Sequence, residues 1–265
     1  MTHFTSPSGS PTPGATVFSV PAKHNPKLLA LVERINADEE LWQWWRCANV
    51  NAIERLGLAD HGEVHVRIVA NAALKLLRLL CAAGQVPGAV AHHRLASEDA
   101  DVIVVLAAAL HDVGRAIHGE QAALFSPLLA HLKARELLTG LFPVRKRTLL
   151  VAETMHAIVT QQGQLTCLTL EAGVLTLAEA LDLAAGRVRW PETLAPAVSE
   201  VIIRKGHQRP VCVELHLTSD TDPFPVDTWL TPALNQSALM DFVEITTTTQ
   251  FQPLISNLSM PGVRV

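Results

Sequence analysis

Apolar residues recur at intervals of three and four over the first two thirds of the chain, which is the spacing of an amphipathic helix. The clearest repeat begins near Gly62: apolar residues between Val64 and Leu80 form one face, and the opposite face carries Arg67 and Lys75. Beyond residue 191 the spacing changes, and short β-branched runs predict strands at 201–203, 211–217 and 242–246. We therefore predict a mostly α fold, a helical bundle, with a small C-terminal α+β extension.

The change in pattern also sets the predicted domain boundaries. Ser, Thr, Pro and Gly dominate residues 5–16, so we expect a flexible N-terminal tail over residues 1–24. The helical patterns then predict a domain over 25–195, and the strand runs fall in an extension over 196–250. A C-terminal tail over 251–265 completes the predicted organisation.

One helix is predicted to be buried on all sides. Residues from Val102 to Leu110 are apolar without interruption, and Ser97 with the acidic residues after it is typical of a helix start. The run ends at His111 and Asp112, shortly before a glycine that predicts the helix end. Because the run is much shorter than the about 20 residues that span a membrane, no membrane partner is expected.

The composition excludes several classes of function. A chain of 265 residues buries a core without a structural metal or disulfides, and a net charge of −4 gives no general attraction to nucleic acid. The four cysteines are scattered and form no Cys-x-x-Cys pair, which favours a cytoplasmic location. Twelve histidines beside no tyrosine are unusual, so the histidines are the first candidates for chemistry.

His111 and Asp112 stand together at the end of the buried apolar helix. Neighbouring side chains point about 100° apart in a helix, but both can turn toward one ion where the helix ends. Burying an imidazole and a carboxylate on such an element is costly, and a divalent cation would offset that cost. The structural alternative is an ordinary helix end, although the helix dipole there favours His and disfavours Asp.

His65 on an earlier helix, followed by His111-Asp112-Val113-Gly114, resembles the H…HD signature of HD-domain phosphohydrolases. The stretch 60–71, then Met155-His156-Ala157-Ile158, and finally Ala180-Leu181-Asp182 are similar to an uncharacterised branch of that superfamily found in archaea and bacteria. The resemblance covers most of residues 40–190. For His65 by itself, a core histidine with one hydrogen bond is the alternative.

The resemblance implies a metal centre with His65, His111 and Asp112 as ligands. In the superfamily the last ligand is usually the Asp of an Ala-Asp pair in the final helix, but here the pair reads Ala178-Glu179. Glutamate still offers an oxygen ligand with an extra methylene. Either Glu179 reaches the metal, or Asp182, three residues later on the same helical face, takes its place.

A subset of the superfamily binds two metals through additional histidines. His118 and His156 are the candidates here, with Asp112 bridging the ions. Mixed imidazole and carboxylate ligands suit Mn, Fe, Co, Ni or Zn, and Mg is a further candidate. One or two divalent metal ions are therefore the expected cofactor.

The implied reaction is hydrolysis of a phosphate ester or anhydride, with nucleotides among the candidate substrates, by a water that the metal activates. Asp112 and Arg115 are the candidate catalytic residues, and the planar guanidinium of Arg115 would also hold a phosphate group. The further candidates for contacts with a small phosphorylated substrate are polar residues near the predicted ligands. They are His61, Arg67, Lys75 and Arg187.

Two other functions stay open. Some relatives with a two-iron site are oxygenases that cleave C–C or C–P bonds, and a binding module would keep the fold and sense a nucleotide without turnover. The edge strands of the extension would suit contacts between two copies in a homodimer. The substrate itself does not follow from the sequence, since one scaffold hosts many reactions.

Overall fold

The helices of the first two thirds of the chain pack as a bundle in the computed structural model, which describes residues 17–162, 165–183, 198–217 and 230–249. They are α1 (Pro26–Ala37), α2 (Glu39–Asn49), α3 (Glu63–Ala82), α4 (Gly88–His93), α5 (Ser97–Leu110), α6 (Ala122–Leu138), α7 (Val144–Gln162) and α8 (Leu170–Ala180). A π-helical segment, Val50–Arg55, extends α2, and two 3₁₀ turns, Val113–Ala116 and Gly119–Gln121, lie between α5 and α6.

The C-terminal extension is a small mixed sheet with one helix. Its elements are β1 (Val198–Lys205), β2 (Val211–Leu217), α9 (Thr231–Ser237) and β3 (Val243–Thr249). Strand β2 is central, antiparallel to β1 and parallel to β3. Strands β1 and β2 pack on α3, and α9 packs on α8. The predicted fold class, mostly α with a small α+β extension, is confirmed.

Helix α5 is the centre of the core. Every residue from Val102 to Leu110 is at most 1% exposed, because α5 packs against α1, α3, α7 and α8. Its first turn is fixed by Asp99, whose carboxylate accepts the amide of Ala96 at 2.9 Å and pairs with Lys146 at 2.7 Å. The prediction of a helix buried on all sides is confirmed, and no helix in the described ranges is both long and apolar enough to cross a membrane.

The predicted flexible tail over residues 1–24 is too long. Phe18 is 1% exposed, its ring centroid lies 5.7 Å from that of Trp45, and its amide donates to Asn36. Aromatic burial therefore anchors the chain before α1 begins. Residues 1–16 and the predicted C-terminal tail lie outside the described residues.

The turn after α5 runs very close to α6. The Gly114 amide donates to Ser126 Oγ at 2.9 Å, and a Cβ atom added at Gly114 would lie 2.2 Å from the backbone nitrogen of Ser126. No side chain fits at that distance. The glycine two residues after Asp112 is therefore required by packing, and it fixes where the chain leaves the end of α5.

We expect Gly114→Ala to destabilise the protein by about 1–3 kcal/mol, because the added methyl group forces α6 and the turn apart. Chemical denaturation followed by circular dichroism measures this change. Gly84→Asn is the comparison at an open glycine: nothing lies within 4 Å of an added Cβ, so its loss of stability should be confined to the backbone strain of φ +92° and be the smaller of the two. Equal stability of the two variants would contradict the close-packing argument.

Candidate metal centre

Three helices bring their polar side chains to one buried point. His65 lies in the first turns of α3, His111 and Asp112 follow the last residue of α5, and Glu179 lies near the end of α8. His111 keeps helical angles, φ −60° and ψ −34°, whereas Asp112 leaves the helix with φ −108° and ψ 5°. This local change lets two consecutive side chains face the same centre.

The core of the site is a triangle of nitrogen and oxygen atoms. His65 Nε2 lies 3.3 Å from His111 Nε2, and Glu179 Oε2 lies 3.2 Å from the first and 3.1 Å from the second. Asp112 Oδ2 lies farther out, 3.7 Å from His111 Nε2 and 3.9 Å from His65 Nε2. Both histidines and Asp112 are at most 3% exposed, so bulk water does not separate these atoms.

Hydrogen bonds on the far side of each imidazole decide which nitrogen faces the triangle. His65 Nδ1 lies 2.8 Å from Asp182 Oδ2, and His111 Nδ1 lies 2.8 Å from the carbonyl oxygen of Ala108. Each Nδ1 therefore carries a proton and donates it outward, which turns Nε2 toward the triangle as the atom that can bind a further proton or a metal ion. Two imidazole nitrogens and one carboxylate oxygen converge, an arrangement that requires positive charge, either as protons on the rings or as a cation.

A divalent metal fits this arrangement. Donor atoms bound to one ion at about 2.0–2.2 Å lie about 3.0–3.5 Å apart, which matches the three edges of the triangle. Glu179 Oε2 is buried and forms no well-aligned hydrogen bond among the described residues, although both Nε2 atoms lie within reach of it. His61 also offers a ligand atom, since one atom each from His61, His65, Asp112 and Glu179 lie within 4.8 Å of one another.

The electrostatics of the cluster also favour a cation. Burial disfavours the charged form of every group here, but the opposite charges outweigh it. Glu179 and Asp182 hold the pKa of His65 well above its usual value, and Asp112 and Glu179 raise the pKa of His111. In turn, the two histidines hold the pKa of Glu179 well below its usual value, and His111 lowers that of Asp112. The carboxylates therefore stay ionised, and the two histidines bind protons unless a cation takes the place of those protons.

Asp112 is held by three hydrogen-bond donors. Its Oδ2 accepts from Arg115 Nε at 2.8 Å and lies 2.7 Å from His61 Nδ1, while Oδ1 accepts from Gln162 Nε2 at 3.1 Å. His61, predicted as a substrate-binding candidate, thus lies against Asp112, and its ring meets that of His65 edge-on at 5.0 Å. The orientation of the Asp112 carboxylate is fixed on both sides.

Glu179 and Asp182, the two alternatives for the late acidic ligand, occupy different places. Glu179 Oε2 belongs to the triangle, whereas Asp182 Oδ2 contacts the outward nitrogen of His65. The cause is the end of α8 at Ala180: Leu181 and Asp182 follow the helix, so Asp182 no longer shares the helical face of Glu179. A carboxylate behind a ligand histidine orients the ring and increases its basicity.

The histidines predicted for a second ion lie outside the cluster. The side chain of His118 is exposed, and its Nδ1 accepts the amide of Glu120 at 3.3 Å. His156 Nε2 accepts the amide of Leu168 at 3.3 Å. His118 therefore caps the adjacent 3₁₀ turn, whereas His156 binds the segment that precedes α8.

Of the predicted phosphate-binding cations, only Arg115 contacts the cluster within the described residues. Its Nε binds Asp112, and one terminal nitrogen donates to the carbonyl oxygen of Gly119 at 2.7 Å. Arg67 and Lys75 lie on the side of α3 that faces β1, where they line a shallow cleft with Val201. Residue 67 follows His65 by two positions, which is about 200° around a helix, so it points away from the cluster. Arg187 lies outside the described residues.

The sequence patterns missed the polar residues that support the site. Gln162, the last residue of α7, donates to Asp112 Oδ1 and to the carbonyl oxygen of His111. Asn51, in the π-helical segment, is 5% exposed and donates to the carbonyl oxygens of Arg115 and Ala116. π-helical insertions are frequent at functional sites, but no spacing in the sequence distinguishes these amides from surface residues.

Comparison with known proteins places the chain beside an archaeal relative. No family model matches the sequence. The chain is 31% identical over 209 residues to the uncharacterised protein MJ1020 of Methanocaldococcus jannaschii, and the aligned region covers 76% of this chain and 81% of the relative. The chain therefore belongs to the same family as this uncharacterised archaeal protein.

Proposed function

We propose that the protein is a metal-dependent phosphohydrolase of the HD type, which hydrolyses a phosphate ester or anhydride. The observation that carries the proposal is the buried triangle of His65 Nε2, His111 Nε2 and Glu179 Oε2, with edges of 3.1–3.3 Å. Together with Asp112, these groups would hold one divalent ion. Their order along the chain supports the resemblance to HD-domain enzymes.

When bound, the ion would lower the pKa of a water molecule and neutralise negative charge on phosphoryl oxygens, which makes hydrolysis accessible near neutral pH. The protein's own groups set up this chemistry. Asp182 and the Ala108 carbonyl fix the ring orientations of His65 and His111. Asp112 stays ionised between His61 and Arg115, so it would help to hold the ion and would accept a hydrogen bond from a nearby water.

Arg115 would contribute to phosphate binding from the rim of the cluster. Its side chain is 20% exposed, whereas that of Asp112 is 3% exposed, so the guanidinium reaches from the buried carboxylate toward solvent. A planar guanidinium can donate two parallel hydrogen bonds to one phosphate group, whereas an ammonium cannot. This placement favours a small phosphorylated substrate.

We further propose one ion per chain and a reducing, cytoplasmic setting. A single cluster of metal-ligating side chains occurs in the part of the chain that the structure describes, and neither His118 nor His156 belongs to it. All four cysteines are free thiols, which is consistent with a reducing compartment.

Purified protein loaded with Mn²⁺, Fe²⁺, Co²⁺, Ni²⁺ or Zn²⁺ should retain about one ion per chain. His111→Ala and Glu179→Gln each remove a direct ligand, so the affinity for metal should fall by more than the about 10- to 100-fold loss typical of a supporting residue. Little metal should therefore stay bound to these two variants. Elemental analysis after gel filtration measures this. His118→Ala and His156→Ala are the matched controls and should retain the wild-type metal content. Two ions in the wild type, reduced to one in either control, would contradict the single-ion site.

The metal-loaded protein should hydrolyse p-nitrophenyl phosphate or bis(p-nitrophenyl) phosphate, and chelation should abolish this activity. At saturating metal, Arg115→Lys should raise KM by about tenfold, because an ammonium cannot replace the planar guanidinium. Steady-state kinetics with parallel metal analysis test both points. Tight nucleotide binding without turnover under every metal would favour the sensor instead, and iron-dependent dioxygen uptake would favour the oxygenase.

A further inference from the structure

Gln162 joins the end of α7 to both residues of the His-Asp pair. Its Nε2 donates to the carbonyl oxygen of His111 and to Asp112 Oδ1. His61 and Arg115 both bind the other oxygen, Oδ2, so among the described residues Gln162 is the donor that binds Oδ1. Without it, the Asp112 carboxylate would be held from one side only.

Gln162 is also the last residue of its helix, a position that normally frays. The final four carbonyl oxygens of a helix lack partners within the helix, so a terminal side chain is held in place only when something else binds that end. A residue from the extension does so here. Gln236, in α9, donates from Nε2 to the carbonyl oxygens of Thr160 at 2.6 Å and Gln161 at 3.3 Å.

The helix that carries Gln236 is itself fixed firmly on the bundle. A Cβ atom added at Gly173 of α8 would lie 2.5 Å from the carbonyl oxygen of Ser237, so α9 and α8 are in direct backbone contact. The carbonyl oxygen of Gln236 also accepts the amide of Cys167 at 3.1 Å. A continuous set of contacts therefore runs from the extension through the end of α7 to Asp112.

We propose that Gln162 is a positioning residue for Asp112, and that Gln236 of the extension acts through it by capping α7. The extension then completes the metal site, although none of its described residues lies in the donor cluster. This inference rests on the proposed function, since it concerns the residue that would help to hold the ion. It assigns the extension a role in cation binding at the site.

The test measures the affinity of the full-length, metal-free protein for Mn²⁺ alone by isothermal titration calorimetry. Gln162→Met keeps the length of the side chain but removes the donor, and it should weaken binding by about tenfold, the lower end for a supporting residue. Gln162→Asn keeps the amide but shortens the side chain by one methylene, so it should also weaken Mn²⁺ binding. Gln161→Met is the matched control: it makes the same change at the preceding residue and should leave affinity within twofold.

Gln236→Met should weaken Mn²⁺ binding by several fold. The double variant Gln162→Met/Gln236→Met should bind as the Gln162→Met variant does, because a residue that acts through Gln162 has no effect once that side chain is gone. A purely structural role of Gln236 would lower the melting temperature and leave the affinity unchanged, and that result would overturn the inference. Additive losses in the double variant would overturn it as well.

The wild-type titration separates this inference from the proposed function. No Mn²⁺ binding by the wild-type chain would overturn both. Wild-type binding together with unchanged affinity in the Gln162 variants would overturn the positioning role alone and leave the metal site standing.

Discussion

Two imidazole nitrogens and one carboxylate oxygen meet in the interior of this protein within hydrogen-bond distance of one another. Nε2 of His65, Nε2 of His111 and one oxygen of Glu179 lie 3.1–3.3 Å apart, and the Nδ1 atom of each ring makes its hydrogen bond on the outward side. In a medium of low polarity such a group of atoms requires a positive charge. The rest of the structure holds these atoms in that position, and the proposed metal chemistry depends on it.

The helical bundle positions the site through its most buried element. Because α5 is surrounded on all sides, its end is fixed by packing, and its last carbonyl oxygens find side-chain donors such as Trp45 Nε1 on Ala109 at 2.9 Å. Gly114 then lets the chain turn directly against α6. Helices α3 and α8 both pack on α5 and supply the remaining donors, so each ligand candidate comes from a rigid element.

The hydrogen bonds that surround the cluster all orient side chains that carry charge. Asp182 and the Ala108 carbonyl select the nitrogen that each histidine presents, and Arg115, His61 and Gln162 select the orientation of Asp112. The extension also contacts this hydrogen-bond network, because Gln236 binds the end of the helix that carries Gln162. A strand-rich appendage that looks separate in sequence is connected to the centre by a few hydrogen bonds.

The sequence by itself determined the fold class, the buried character of α5 and the location of His111 and Asp112 at its end, because these follow from local periodicity and from the interruption of an apolar run. It also brought His65 into the same group through motif order. Only the tertiary structure placed Glu179, and not Asp182, beside the two Nε2 atoms, since the end of α8 at Ala180 separates two residues that spacing places on one face. It likewise excluded His118 and His156 from the cluster, turned Arg67 and Lys75 toward β1 and added Gln162. Hydrogen bonds between distant segments fix these positions, and such contacts leave no periodic signal in the chain.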